Sequence, residues 1–206
     1  MLLLSFFLMA SLSGQSEYDE AIGRAINLVS LSATTYTEKR DCISCHHQSL
    51  PVMALAHAKA ADYKIINDFI PEQNLYVQDY FRSRLNRMKE GNGMIGGPYT
   101  AGYALLQMTE AEEKKDKTIE ALITYLLKTQ KPDGSWRIRT HRPPLEDSDF
   151  TATALAIRGL LQYDDQPDSI QNAVRWLKNS KPESTEDRVF QVLGLHWAQR
   201  DTSAFG

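Results

Sequence analysis

Apolar side chains recur at helical spacing along most of this chain. The clearest helix face occupies residues 119–127 and consists of Ile119, Leu122, Ile123, Leu126 and Leu127. A second face, at positions i, i+3, i+4 and i+7, consists of Ile22, Ala25, Ile26 and Val29. This spacing is typical of amphipathic helices, and no segment shows the period-two alternation of a β-strand convincingly. The pattern predicts an all-α protein.

Eight helices are expected from the pattern and its breakers. Their approximate spans are 18–31, 51–58, 72–89, 99–108, 119–127, 150–163, 170–177 and 185–199. The run Thr-Thr-Tyr-Thr at 34–37 is expected to weaken the first helix. Glycines between 91 and 97 separate the third helix from the fourth. The last helix follows a capping sequence at 184–187, Ser-Thr-Glu-Asp.

The helices alternate in character along the chain. One-faced helices are followed by helices rich in small apolar residues, and the helix at 150–163 is apolar nearly all round. A helix of that kind is typically enclosed by other helices. In addition, the pair Tyr-Leu at 125–126 returns as Trp-Leu at 176–177, about fifty residues later. This echo predicts helical hairpins that stack on one another in inner and outer layers.

Length and charge are those of an ordinary soluble protein. The chain has 206 residues, a net charge of −3 and 42% hydrophobic residues. This length fits one domain or one large piece of a repeat array, with enough residues for a sizeable core. There is no block of Lys and Arg residues and no basic stripe, so nucleic-acid binding is not expected.

The first twelve residues are almost entirely apolar, and Ser13 and Gly14 follow them. An apolar run of this length is too short for a membrane span, which needs about 20 residues, but it is typical of a signal peptide. We therefore expect residues 1–14 to be a signal peptide, which touches the membrane only in transit, and the protein to be periplasmic or extracellular in a bacterium. The n-region lacks Lys and Arg before Arg24. The alternative is an amphipathic first helix whose apolar end packs inside.

The sequence Cys-Ile-Ser-Cys-His-His at 42–47 contains the only two cysteines of the chain. C-x-x-C-H is the spacing of covalent c-type haem attachment, in which both thiols bind the haem and the histidine binds its iron. The prediction is that Cys42 and Cys45 form the thioethers and that His46 is the iron ligand. Export favours this prediction, because it places the segment where haem can be attached, or where a disulfide persists.

Two other chemistries remain open for the same segment. A Cys2His2 zinc site would use Cys42, Cys45, His47 and His57, without the usual separation between the two pairs. Alternatively, the two cysteines form a disulfide or remain thiols, and no cofactor binds. For a haem, the sixth iron ligand is left open among His57, Met53, Met88, Met94 and Met108.

A second motif lies at residues 121–136. It reads Ala121-x-x-x-Tyr125-Leu126-x-x-x-Gln130-Lys131-Pro132-Asp133-Gly134-Ser135-Trp136. This stretch resembles the QW repeat of squalene–hopene cyclases and related terpenoid cyclases, in which the motif ties helices together. Residues 176–182 resemble a second copy that lacks the Gln and the Gly-x-Trp. The whole chain is similar to exported bacterial squalene-cyclase-like repeat proteins that carry a CxxCHHQ-type segment ahead of the repeats.

The resemblance implies a fold and one catalytic candidate. The fold is the α/α toroid that terpenoid cyclases share with protein prenyltransferase β-subunits, here with fewer helices than a closed ring. The ring is therefore expected to be open, or to be completed by additional chain or by a partner. The catalytic motif Asp-x-Asp-Asp-Thr-Ala of class II cyclases matches residues 147–152 except that Phe150 replaces the last Asp. Asp149 would be the proton donor, whereas the simpler interpretation is that Ser148 or Asp149 caps the helix.

Together these observations predict three parts of the chain and leave three functions open. The parts are a signal peptide at 1–14, N-terminal helices with the CxxCH segment at 15–62, and a partial α/α toroid at 63–206. The first hypothesis is an exported haem protein with redox or electron-transfer function and a redox partner. The alternatives are a terpene cyclase-like enzyme, or a toroid that only binds an apolar ligand or partner and has a zinc ion or disulfide at Cys42 and Cys45.

Overall fold

The computed structural model describes residues 2–142, 146–164 and 166–202, with side chains from Glu17 to Gln199 within these ranges. These ranges contain nine α-helices and, apart from one isolated bridge between Arg142 and Glu146, no β-structure. The helices are α1 (Leu2–Lys39), α2 (Leu50–Ala60), α3 (Phe69–Arg82), α4 (Leu85–Lys89), α5 (Pro98–Glu110), α6 (Lys117–Thr129), α7 (Asp149–Tyr163), α8 (Pro167–Asn179) and α9 (Thr185–Thr202). A π-helical turn, Cys45–Ser49, precedes α2. The all-α prediction is confirmed.

Two helix boundaries differ from those expected. The run of threonines does not weaken α1, which continues to Lys39, because Ala33 is fully buried there and Thr37 donates a hydrogen bond to the carbonyl of Thr34. The expected third helix is divided into α3 and α4. The amide of Arg84 bonds the carbonyl of Phe81 in a tight turn, and its guanidinium bonds that of Tyr80, so that α3 is closed before α4 begins.

Four helices, α2, α5, α7 and α9, stack in a row in which each contacts the next; we call them the inner row. Helix α6 lies against α5 and α7, and α8 lies against α7 and α9. Glycines allow the inner helices to approach closely. A Cβ atom at Gly102 would lie 2.6 Å from the Cβ of Leu155, and one at Gly159 would lie 2.7 Å from a methyl carbon of Leu105. Helices α5 and α7 are enclosed as predicted, whereas α9, at the end of the row, leaves Val189 and Val192 exposed.

The burial of individual residues follows the sequence pattern. The face of α6 is buried as predicted, since Ile119, Leu122 and Leu126 are fully inaccessible. Helix α7 is buried nearly all round, and α5 likewise. The capping sequence before α9 forms reciprocal bonds, in which the Asp187 amide donates to Ser184 Oγ at 3.0 Å and the Ser184 amide donates to Asp187 Oδ2 at 3.0 Å.

The motif of residues 121–136 covers most of α6 and the turn after it, and its side chains link α6 to α8. The Gln130 amide nitrogen donates to the carbonyls of Gly134 at 2.9 Å and Ser169 at 2.8 Å, and Ser169 is in the first turn of α8. The buried Trp136 donates its indole N–H to the carbonyl of Leu126 at 2.8 Å. At the corresponding position of α8, the carbonyl of Leu177 accepts from the Gln191 side chain at 2.6 Å.

Among the described helices, none combines the length and the apolar character that a membrane span requires. The side chains of residues 1–14 lie outside the described residues. The signal peptide and the export of the protein stay predictions.

Candidate functional site

The CxxCH segment lies between the end of α1 and the start of α2, against helices α3 and α5. A chain of buried polar groups holds it in place. Ser49 Oγ donates to Gln107 Oε1 at 3.1 Å, and Gln107 Nε2 donates in turn to Asn74 Oδ1 at 2.8 Å. All three side chains are buried. Because buried polar groups are costly without partners, these bonds specify where the segment sits on α5 and α3.

Within the segment, residues Cys45–Ser49 form the π-helical turn. Its entry is fixed by the amide of Ser44, which donates to Gln48 Oε1 at 2.6 Å. The other end of that amide group, Gln48 Nε2, is buried and has no hydrogen-bond partner among the residues that the structure describes. π-Helical turns occur frequently at functional sites, and an unpaired buried donor marks the segment as incompletely satisfied.

The two cysteines and His46 line a single cleft of about 460 Å³, which we call the CxxCH cleft. Its other walls come from α1, α3, α5 and the loop before α7. The lining side chains that complete it are Tyr36, Ile43, Ser44, Tyr80, Ile95, Tyr99, Thr100, Arg142 and Glu146. The structure therefore brings together the three residues predicted for haem attachment.

The two thiols have different surroundings and are not bonded to each other. Cys42 is exposed, and its Sγ lies 3.1 Å from the hydroxyl oxygen of Tyr36. Burial, and then the neighbouring Cys42, raise the pKa of Tyr36 to about 12. The Cys45 side chain keeps some surface exposure but is surrounded by protein atoms. This burial, followed by the negative charge of Glu146, raises the pKa of the Cys45 thiol to about 12.

The rings of the two adjacent histidines are in contact, with centroids 4.3 Å apart. His47 stacks on Tyr36 with ring centroids 4.5 Å apart, and its pKa is lowered by burial and by the neighbouring His46. His46 is exposed and lines the CxxCH cleft, whereas His47 does not line it. Ser44 Oγ lies 3.1 Å from Nδ1 of His46 and 3.3 Å from Nδ1 of His47. The Nε2 atom of His46 has no hydrogen bond among the described residues.

An ion pair between the exposed Arg142 and the buried Glu146 forms the opposite part of the cleft. Glu146 is 4% exposed, and its Oε2 accepts a hydrogen bond from Nε of Arg142 at 2.7 Å. Thr140 donates to Oε1 of the same carboxylate. The backbones of Arg142 and Glu146 also pair in the isolated bridge. This pairing holds one end of the loop before α7 against the CxxCH segment.

The structure does not bring the four predicted zinc ligands together. His57 Nε2 lies 3.5 Å from Glu110 Oε2 instead, and its side chain is largely exposed. Among the described residues, no group of three or more His, Cys, Asp or Glu side chains is arranged to hold a metal ion. The five residues considered for the sixth haem ligand, His57 and the methionines 53, 88, 94 and 108, do not line the CxxCH cleft.

Asp149 lies away from this cleft, at the first position of α7. Its Oδ2 accepts from Nη1 of Arg137 at 2.7 Å, and its Oδ1 accepts from the amide of Ile138 at 2.8 Å. The cap of α7 is Ser148, whose Oγ accepts from the amide of Phe150 at 3.1 Å. Ser148 is thus the cap, one of the two residues that the simpler interpretation named, while both oxygens of Asp149 are bonded to the loop.

Seven residues that line the CxxCH cleft were not identified from the sequence. They are Tyr36, Tyr80, Ile95, Tyr99, Thr100, Arg142 and Glu146. Each lies in a helix or loop without a recognisable motif, so the sequence gives no local signal for them. A comparison with protein-family models, with curated proteins and with solved structures finds no match for this chain.

Proposed function

We propose that this chain is a redox protein that carries a covalently attached c-type haem at the CxxCH segment. The observation that supports this is the convergence of Cys42, Cys45 and His46 on one cleft of about 460 Å³. Clefts for small molecules and cofactors have volumes of about 300–1,000 Å³. The proposal includes the export of the chain, since thioether formation belongs to that compartment.

The residues of the cleft fit such a group. Histidines that ligate metals usually have their second ring nitrogen in a hydrogen bond, which fixes the ring orientation. Ser44 Oγ is within hydrogen-bond distance of Nδ1 of His46, so Nε2 is left for iron. Ile43, Ile95 and Tyr99 provide apolar contact for a flat ring system. When bound, haem supplies an iron centre that gains and loses one electron, with a potential set by its ligands and surroundings.

The chain's own residues would do three things. Cys42 and Cys45 would attach the haem covalently, so that it stays bound without depending on non-covalent binding affinity. His46 ligates the iron from one side. The ion pair of Arg142 and Glu146 lies inside the cleft wall and changes the local charge, which is one of the means by which a protein adjusts a redox potential.

The experiment is a haemochrome assay on protein exported by cells that mature c-type cytochromes. A c-type α-band that survives denaturation is expected for the wild type and for His47→Ala. The band is expected to be lost in Cys42→Ala and Cys45→Ala, and the native spectrum to be altered in His46→Ala. His47 is the matched control because it is adjacent to His46 but does not line the cleft. Colourless wild-type protein from these cells would contradict the proposal.

A second candidate is a dithiol–disulfide function, which the asymmetry of the thiols favours. Cys42 is exposed, while the pKa of Cys45 is raised to about 12 by burial and by Glu146. An exposed attacking thiol with a buried second thiol is suited to exchange. Both thiols would lose their protons and one electron each, an S–S bond would form between them, and a partner disulfide would be reduced to two thiols. Colourless protein with a reversible two-thiol titration would favour this candidate.

We further propose that the stacked helices are part of an α/α toroid. The support is the inner row with α6 and α8 bridging successive members, together with the bonds of Gln130 and Trp136. An additional chain, or further residues, would complete the ring. A terpene cyclase has less support, because Asp149 is bonded to Arg137 and to a backbone amide and does not line the CxxCH cleft. An experimental structure in which the inner row does not curve would contradict the toroid.

A further inference from the structure

Three arginines converge on a groove next to the CxxCH cleft. Arg84 at the start of α4, Arg87 within α4, and Arg139 in the loop after α6 line this space of about 660 Å³, which we call the arginine groove. Glu90, Asn92 and Ile95 are among the other residues that line it. The groove therefore contains three guanidinium groups and one carboxylate.

The three guanidinium groups are not neutralised. Within the described part of the chain, no Asp or Glu forms an ion pair with Arg84, Arg87 or Arg139, and Glu90 also forms none. Other arginines of the protein are paired, such as Arg82 with Asp79 and Arg142 with Glu146. An uncompensated cluster of like charges is unfavourable by itself, and an anion that enters it removes the repulsion. Arginine is also the side chain best suited to bind carboxylate or phosphate with two parallel hydrogen bonds.

The aliphatic stems of two of these arginines, and the guanidinium group of the third, contact neighbouring groups. The backbone of Gly93, with φ +79°, lies so close to Arg87 that a Cβ atom there would be 2.8 Å from the Cβ of Arg87. Gly97, with φ +65°, would place a Cβ 2.5 Å from Cγ of Arg139. Both contacts need glycine, for the space as well as for the dihedral angle. The guanidinium of Arg84 stacks on the ring of Tyr80 at 3.8 Å. Less ordering is then required when a ligand binds.

The groove is contiguous with the CxxCH cleft. Ile95 lines both, and Tyr80, on which Arg84 stacks, is a wall of the cleft. We propose that the arginine groove binds a ligand that bears carboxylate or phosphate groups. Such oxyanions have two sources: the carboxylates of the haem proposed for the adjacent cleft, or a free anion from solution. Binding to the arginines does not rest on the haem proposal, whereas the first source does.

The first arm of the test uses the full chain without haem. Inorganic phosphate is titrated calorimetrically at low ionic strength into the wild type, into Arg87→Gln/Arg139→Gln, and into Lys89→Gln. The double variant is expected to bind at least about tenfold more weakly, since hydrogen bonds to charged groups are lost. Lys89→Gln is the matched control, because it removes a positive charge from the same helix at a residue that does not line the groove. Its affinity is expected to change by less than about twofold.

The second arm distinguishes the two sources. Phosphate binding that disappears when haem is attached, and persists in haem-free Cys42→Ala/Cys45→Ala, would assign the groove to the carboxylates of the haem. Equal phosphate binding with and without haem would assign it to a free anion. The proposal is overturned if haem-free wild type shows no saturable binding, or if the double variant binds as the wild type does while both unfold at the same denaturant concentration. Failure of haem attachment leaves the first arm intact, so the two proposals fail separately.

Discussion

The turn at Gln130–Trp136 and the segment at Cys42–Ser49 are both short connections between helices. They differ in how completely their polar groups are hydrogen-bonded. In the turn, the side chains of Gln130 and Trp136 donate to carbonyls of their surroundings, and Trp136 is fully buried. In the segment, the two thiols are not joined in a disulfide, and among the described residues the buried Gln48 Nε2 has no hydrogen-bond partner. Satisfied polar groups stabilise a fold, while unsatisfied ones are retained where function requires them.

The comparison implies that variants in the two regions should separate into two classes. Changes in the turn should reduce the free energy of unfolding. Changes of the exposed Cys42 and His46 in the segment should alter reactivity or cofactor content while the free energy of unfolding remains nearly the same. Measurements of stability and reactivity in variants of both regions test this division.

The largest effect is expected for Trp136. Trp136→Ala should reduce the free energy of unfolding by about 3–5 kcal/mol, because a fully buried aromatic side chain leaves a cavity. Trp136→Phe keeps most of the ring but removes the indole bond to the Leu126 carbonyl, which still accepts from the Gln130 amide at 3.1 Å, so the cost should be about 0.5–1.5 kcal/mol. Urea unfolding measures both. Cys42→Ala, an exposed position, serves as the comparison and should stay within about 0.5 kcal/mol of the wild type. Equal losses for Trp136→Ala and Cys42→Ala would refute the division.

The next effect concerns the glycine of the turn. Gly134 has φ +94°, and a Cβ atom there would lie 2.3 Å from the backbone oxygen of Asn172 in α8. Gly134→Ala should therefore destabilise the protein by about 2 kcal/mol or more, since strain and steric overlap add. Gly23→Ala is the matched control, because nothing lies within 4 Å of its Cβ position in α1. It should stabilise the helix by about 0.5–1 kcal/mol. A tolerated Gly134→Ala in thermal unfolding would show that the turn is not rigid.

A smaller effect is expected for the reactivity of the two thiols. The pKa of Cys45 is raised to about 12, so its reactive thiolate is scarce near neutral pH and increases as the pH rises towards that value. In the haem-free protein at pH 8, iodoacetamide should label Cys42 at least about tenfold faster than Cys45, with the difference narrowing at higher pH. Mass spectrometry of Cys42→Ser and Cys45→Ser gives each rate separately. Equal labelling rates of the two thiols at pH 8 would contradict the difference in burial between Cys42 and Cys45.

The smallest effect is a pH dependence at the start of α9. Burial acts to raise the pKa of Asp187, but hydrogen bonds from Ser148, Ser184 and Glu183 outweigh it and leave the pKa lowered. Because the folded pKa is below the unfolded value, the contribution is complete above about pH 4 and is lost as the pH falls further. Asp187→Asn should cost at most about 1 kcal/mol at pH 7 and less at pH 3. Urea unfolding of the wild type and the variant at both pH values measures this cost. A cost that is larger at pH 3 than at pH 7 would contradict the prediction.

The helices and their layers could be predicted because helix formation and burial leave a periodic signal. The faces of α6 and α7 and the capping box before α9 are local features, and all three are found. The division between α3 and α4 could not be predicted, since it depends on the Arg84 side chain bonding back to Tyr80. No Gly or Pro marks this division in the sequence, because the residues between the two helices are Ser83 and Arg84.

The site was predictable only where its chemistry is contained in a motif. Cys42, Cys45 and His46 were identified from spacing and lie in one cleft. Glu146, a hundred residues away in sequence, reaches this cleft through the packing of α5 and α7, which has no signature in the residues around it. The same holds for the arginine groove, where glycines that were recognised as helix breakers also support two arginine side chains.

The π-helical turn at Cys45–Ser49 makes this segment unusually sensitive to insertions and deletions. Each residue of an α-helix rotates the following side chains by about 100°, and a π turn contains one residue more than the corresponding α-helical turn. Loss of a single codon within the turn would convert it to an ordinary α-helix and rotate the cysteines and His46 relative to α2 and its anchor at Ser49. A single insertion or deletion during evolution would thus be enough to turn the cysteines and His46 towards the cleft or away from it.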